Sequence, residues 1–264
     1  MRNRWAEKSA GSFFFGAHLI RLPKLALTQK LYAPDTPWGP FTAALVAIFV
    51  VVVPFLAIEL VLTLFPGVRG DRALWPTVYD RTIVAGQAVT LVLIMLVARM
   101  RGGTSQGVLA DIPVPSPRAQ AYIETLLLLA IALGLTGLFF LAFPELEASV
   151  TKQACDNLLA RDLWLDNLLL IIVFAPLVEE FLFRGFLFSA WQSEKLPFIV
   201  PALSTSIIWT ALHFHYDLAY LPFLFLDGMF LSWILWRYGS IWLCVFYHMG
   251  WNAVAVWYLR DCIF

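Results

Sequence analysis

The chain has little charge. Of its 264 residues only 14% are Asp, Glu, Lys or Arg, while 61% are hydrophobic and the mean hydropathy is +0.78. Soluble domains use roughly 25% charged residues, so this composition excludes an ordinary soluble domain and identifies a polytopic membrane protein. The formal net charge is zero, which removes the electrostatic basis for a nucleic-acid partner. Cys155, Cys244 and Cys262 are odd in number and scattered, with no CxxC spacing; they signal neither a disulfide framework nor a zinc knuckle. Cys262, in "DCIF", lies one position short of a prenylation box. Internal repeats and low-complexity tracts are lacking. A cleavable signal peptide is not expected either, because the apolar run near the start is short and is broken by His18, Arg21 and Lys24.

What the chain does have is apolar runs. The clearest is "FTAALVAIFVVVVPFLAIELVLTLF", about 41–65. Others cover about Val78 to Ala98, Gln120 to Phe143, 164–191, 198–214, 218–237 and 240–259. Each approaches the roughly 20 residues a spanning helix requires. The expected fold is all-α: an integral membrane bundle of about seven helices, or eight if the N-terminal segment inserts or a long span is broken. Residues 1–40, where Phe, Leu and Ile alternate with Lys and Arg, read as an amphipathic segment at the membrane surface. Residues 41–264 form the transmembrane domain.

The basic residues set an orientation. Six precede the first span (Arg2, Arg4, Lys8, Arg21, Lys24, Lys30), and Arg99, Arg101 and Arg118 follow the second. The loop after the third span is acidic, with Glu145, Glu147, Asp156, Asp162 and Asp166. This pattern favours a cytoplasmic N-terminus, although Arg69, Arg72 and Arg81 run against it.

Ionisable groups inside a span cost about 2.5–3.5 kcal/mol each on insertion scales, so each needs a reason. "VEEFLFRGFL" holds three. Glu180 and Arg184 are spaced i,i+4 with the acid first, the better order for an ion pair. Glu179, about 100° round the helix, has no partner within its own helix and is the candidate general base. His213 ends the fifth run one turn after Trp209, and His248 and Asn252 share one face of the seventh. His215, beside Asp217, reads as a loop residue, and His18 as incidental. Asp227 and Glu59 are intramembrane acids without an assigned role, and Gly228 offers close helix contact.

A carboxylate, two imidazoles and an amide suffice for hydrolysis. The carboxylate and one histidine deprotonate water, while the other histidine and the amide stabilise an oxyanion. Glu179, His213 and His248 are equally a possible zinc set. HExxH, GxSG and GxGD signatures are all absent.

Three motifs in order, "EEFLFR", "WTALH" and "HMGWN", resemble EExxxR, FxxxH and HxxxN of the CAAX-protease and bacteriocin-processing (CPBP, or Abi) membrane family. The resemblance covers about residues 165–256 and departs from the family pattern at Trp209, where Phe is usual. It implies an intramembrane endopeptidase of about eight helices around a polar cavity. Glu179 is then the catalytic base, with His213 assisting it and His248 and Asn252 binding the oxyanion. Glu180, Arg184 and Trp209 organise the site. The resemblance favours a glutamate mechanism without an obligatory cofactor over the zinc version. Its partners are the lipid bilayer and a peptide or membrane-protein substrate, prenylated in eukaryotic members. The compact chain points to a bacterial cytoplasmic membrane.

Overall fold

A computed structural model of the chain describes residues 38–67, 75–101, 119–159, 168–193, 196–214 and 216–263. The amphipathic segment expected over 1–40 and the loop residue His215 lie outside them, Trp38 to Pro40 apart. The described residues form an all-α bundle with no strand among them.

Two helices are long and apolar enough to cross a bilayer by length and composition: α1 (Pro40–Leu64) and α3 (Ala119–Ala142). Only 22% and 11% of their most apolar stretches are buried, and side chains such as Phe41 and Leu141 point outward at 75% and 79% exposure. Helices this apolar and this exposed suit a lipid surround. Between them runs α2 (Trp75–Arg101). Thr90 Oγ1 reaches the Val50 carbonyl at 3.4 Å and Gly86 faces the Ile58 side chain, so α2 runs antiparallel to α1.

The acidic stretch after α3 is not a loop. Pro144–Leu159 forms a helix, α4, with Glu145 and Glu147 in its first turn, where carboxylates complement the positive helix end.

The central helix spans 170–193, called α5. It is π-helical over Leu170–Phe174 and Phe181–Phe188 and α-helical over Ala175–Glu180 and Ser189–Ser193. Every residue from Phe181 to Phe188 is buried, because α1, α2 and the three long helices that follow α5 all pack on this stretch. The remaining helices are α6 (Ile199–Leu212), α7 (Leu221–Tyr238), α8 (Ile241–Tyr258) and the short α9 (Arg260–Ile263). Gly239, at φ 67°, turns the chain from α7 into α8.

The bundle has two distinct ends. At one, Trp191 Nε1 donates to the Pro40 carbonyl (2.9 Å) and the Tyr238 hydroxyl to Glu124 (2.8 Å). At the other, α4 is fastened in three places. Ser149 Oγ donates to Asp217 in the α6–α7 loop (2.8 Å), the Tyr258 hydroxyl donates to Glu147 (2.5 Å), and a disulfide joins Cys155 to Cys262. The sequence offered no sign of that disulfide. Its partners are 107 residues apart, and only the fold of α4 back over the end of α8 brings them together.

Candidate active site

The site begins with a proline. The Ala175 N–H bonds the Leu170 carbonyl, five residues back. In that register the next donor would be residue 176, but Pro176 has no N–H. The Ile171 carbonyl is therefore left without its helical partner, and Asn252 Nδ2 of α8 donates to it at 2.8 Å. Asn252, expected as an oxyanion donor, thus has one amide hydrogen committed to the backbone of α5.

Immediately after this stretch come the two glutamates, and they face different neighbours. Glu180 is fully buried; its Oε1 accepts from Arg184 Nη1 (3.1 Å) and from His248 Nδ1 (2.9 Å). Arg184, also fully buried, places Nη2 3.2 Å from the Gly228 carbonyl. Gly228 is required for this approach, since a Cβ there would lie 3.0 Å from Ser206 and 3.2 Å from Arg184 Nη2. The pairing expected from the i,i+4 spacing is present, with His248 as an additional partner.

Glu179 is half-buried and has a partner that helix periodicity does not show: Trp209 Nε1 donates to its Oε2 at 2.6 Å. The partner comes from another helix; within its own helix Glu179 has none of the i,i+4 kind that Glu180 has. A donor at this distance from a carboxylate forms a short, charge-assisted bond. Phenylalanine, usual at this place in the resembling family, carries no such donor.

Trp209 is the hub of the cluster. Its ring lies 5.0 Å from His213, 5.6 Å from His248, both edge-on, and 4.8 Å from the Arg184 guanidinium. His213 closes the end of α6 and places Nδ1 2.8 Å from the Trp209 carbonyl. Since a carbonyl only accepts, Nδ1 carries the proton of that bond. The indole therefore gathers Glu179, Arg184, His213 and His248, while Asn252 stands one turn beyond His248.

Exposure divides the cluster. Glu180, Arg184, Trp209 and His248 are buried, whereas Glu179, His213 and Asn252 are half-buried. Glu180 Oε2, Arg184 Nε, Ser206 Oγ and Thr210 Oγ1 are buried without a protein hydrogen bond. Such groups ordinarily bond ordered water.

Among the described residues no group of three or more His, Cys, Asp or Glu side chains is placed to hold an ion. Nδ1 of both histidines is turned to a protein acceptor, an arrangement that also orients metal-binding imidazoles. Asp227, unassigned from the sequence, accepts from the Tyr247 hydroxyl at 2.9 Å. Glu59 is on α1, where its backbone carbonyl accepts from the Thr63 hydroxyl at 2.7 Å.

Residues 161–254 match the family described as Type II CAAX prenyl endopeptidase Rce1-like. Among curated proteins, UPF0177 protein YajF of Lactococcus lactis subsp. lactis (strain IL1403) is 26% identical over 102 residues, 39% of this chain. The chain spans about half the length of that relative, 49%. No solved structure matches the chain. The matched stretch begins just before α5 and runs through α8, the helices that supply every residue of the cluster. Residues 161–254 are thus similar to the Rce1-like CAAX prenyl endopeptidase family, and the similarity covers the helices that carry the cluster.

Proposed function

We propose that the chain is an intramembrane endopeptidase that hydrolyses a peptide bond with a water activated by Glu179. The observation that carries this reading is the convergence of Glu179, His213 and His248 on one indole ring. Glu179, held at Oε2 by Trp209, takes the water at Oε1, and His213, against the same indole ring, assists it. As the water oxygen attacks the carbonyl carbon, its proton passes to Glu179 and the carbonyl oxygen becomes an oxyanion. His248 meets that oxygen with Nε2 and Asn252 with its second amide hydrogen. Since Nδ1 of His248 already donates to Glu180, donation from both nitrogens requires the imidazolium, with Glu180 as counter-charge. The tetrahedral carbon then expels the amine, which takes the proton from Glu179.

We assign no metal to the reaction. The partners are lipid and a peptide or membrane protein, and the setting is a bacterial cytoplasmic membrane with several spans. The test is cleavage of a quenched-fluorescent peptide library by the full chain in liposomes. His213→Ala should lose at least tenfold in rate with the protein still folded, and chelator should leave wild-type activity intact. Inhibition by chelator, restored by zinc, would favour the metal version instead.

One observation favours a second reading, a non-catalytic scaffold or immunity-type protein. The Asn252–Ile171 and Glu180–Arg184–His248 bonds are of the kind that glue helices together in lipid. A protein that folds normally but cleaves nothing in the library would support it.

A further inference from the structure

Asp227 is the single acid of α7, and the reaction above leaves it unused. An ionisable side chain within a span is costly unless it is paired or has a task. Asp227 stands immediately before Gly228, whose carbonyl lies 3.2 Å from Arg184 Nη2. Its own Oδ1 accepts from the Tyr247 hydroxyl at 2.9 Å. Tyr247 directly precedes His248 on α8, and its side chain is fully buried.

The bond ties two helices together at the height where the cluster is assembled. On α8, consecutive positions put the Tyr247 hydroxyl on Asp227 and His248 Nδ1 on Glu180, each at 2.9 Å. On α7, consecutive positions supply the Asp227 carboxylate and the carbonyl that meets Arg184. A slide or rotation of α8 against α7 would therefore break the tyrosine bond and move His248 off Glu180 together. One turn nearer the Gly239 corner, Cys244 Sγ approaches the Leu231 carbonyl at 3.4 Å, but a thiol is a weak donor. The Tyr247 ring also packs edge-on against Phe230 of α7 at 5.3 Å, a contact that does not need the hydroxyl. The directional tie beside the cluster is the one to Asp227.

We propose that Asp227 is a positioning residue of the hydrolysis: through Tyr247 it fixes the height and rotation of α8, and so the placing of His248 against the oxygen that becomes the oxyanion. This rests on the peptidase reading above. An oxyanion donor acts in the transition state, so a displaced His248 lowers kcat and leaves KM nearly unchanged. Misplacement by about 1 Å can cost about 100-fold in rate. The tyrosine bond needs an acceptor oxygen at position 227 and not a charge, although the charges of His248, Arg184 and Glu180 all act on that carboxylate.

The test is steady-state cleavage of the best-cleaved peptide of the quenched-fluorescent library by the full chain in liposomes, with thermal unfolding measured alongside. Asp227→Ala and Tyr247→Phe should each lower kcat about tenfold or more with KM within about twofold, and the double variant should fall no further than the larger single loss. Asp227→Asn keeps an acceptor oxygen and should stay within about threefold of the wild-type kcat. Tyr238→Phe is the control. It removes a bond of the same kind, to Glu124 at 2.8 Å, about three turns along α7 from Asp227, and should leave kcat within about twofold. Wild-type kcat in Tyr247→Phe would overturn the proposal. An equal loss in Tyr238→Phe would do the same, by marking the effect as a general loosening of the bundle. A loss in Asp227→Asn as large as in Asp227→Ala would assign the role to charge and remove positioning through Tyr247. Should Asp227→Ala fail to fold, Tyr247→Phe, which keeps the ring contact with Phe230, decides alone. No cleavage by the wild-type chain would sink the peptidase reading, and this proposal with it.

Discussion

The indole nitrogen of Trp209 lies 2.6 Å from Oε2 of Glu179, across 30 positions of sequence. A hydrogen bond to a charged group contributes about 1.5–3 kcal/mol, and this one fixes which carboxylate oxygen faces the site. Trp209→Phe keeps the ring that His213 and His248 pack against but removes the donor. Peptide cleavage should fall about tenfold or more, and the unfolding temperature should fall only by the loss of this one bond. An unchanged rate in Trp209→Phe would show that the bond positions nothing.

Glu180 and Arg184 are each fully buried and share Oε1 with His248. Removing one partner strands the others in the interior, a loss of about 3–5 kcal/mol for a buried pair. Glu180→Ala should therefore lower the unfolding temperature sharply. The double change Glu180→Leu with Arg184→Met should recover part of that loss, as read by thermal unfolding in detergent.

Asn252 and Pro176 make a coupled pair, because the asparagine donates to the carbonyl that the proline leaves unbonded. Asn252→Leu should cost about 1–3 kcal/mol, the penalty for stranding a buried acceptor. In a Pro176→Ala background the residue 176 N–H serves Ile171, so the same change should cost roughly 1 kcal/mol less. A double-mutant cycle measures the difference. Additive costs would mean that the two residues act separately.

The fastening of α4 should depend on pH. Hydrogen bonds from Tyr258 and Thr151 hold the Glu147 carboxyl below its ordinary range. Bonds from the Ala219 N–H and Ser149 do the same for Asp217. A depressed folded-state value stabilises the structure above the unfolded value, about 4.5 for Glu147, and that contribution is lost as pH falls through the folded value. Hydrogen exchange in α4 should accelerate below about pH 4.5, and Tyr258→Phe should move the onset upward.

These relationships divide by distance along the chain. The apolar runs placed the helices well: 41–65 is α1 at Pro40–Leu64, and Gln120 to Phe143 is α3 at Ala119–Ala142. The Glu180–Arg184 pair was also legible, since i,i+4 partners follow from helix geometry alone. Gly228 does allow the close approach expected of it. Trp209 on Glu179, His248 on Glu180, Asn252 on Ile171 and Cys155 on Cys262 were not legible. They join positions 30, 68, 81 and 107 residues apart, and nothing in local periodicity registers one helix against another. The helix α4 was missed for a different reason. Its polar, acidic composition resembles a loop, and it becomes a helix docked on the bundle end through Asp217, Tyr258 and Cys262.

The most direct test of the account is the rate of peptide cleavage by Glu179→Gln. Glutamine has the same shape, and its carbonyl oxygen still accepts from Trp209, so packing and fold are kept while the capacity to take a proton from water is lost. General-base catalysis contributes about 10²–10⁴-fold. The account predicts a fall of at least about 100-fold in cleavage at unchanged unfolding temperature. Cleavage at the wild-type rate by a folded Glu179→Gln protein would contradict it.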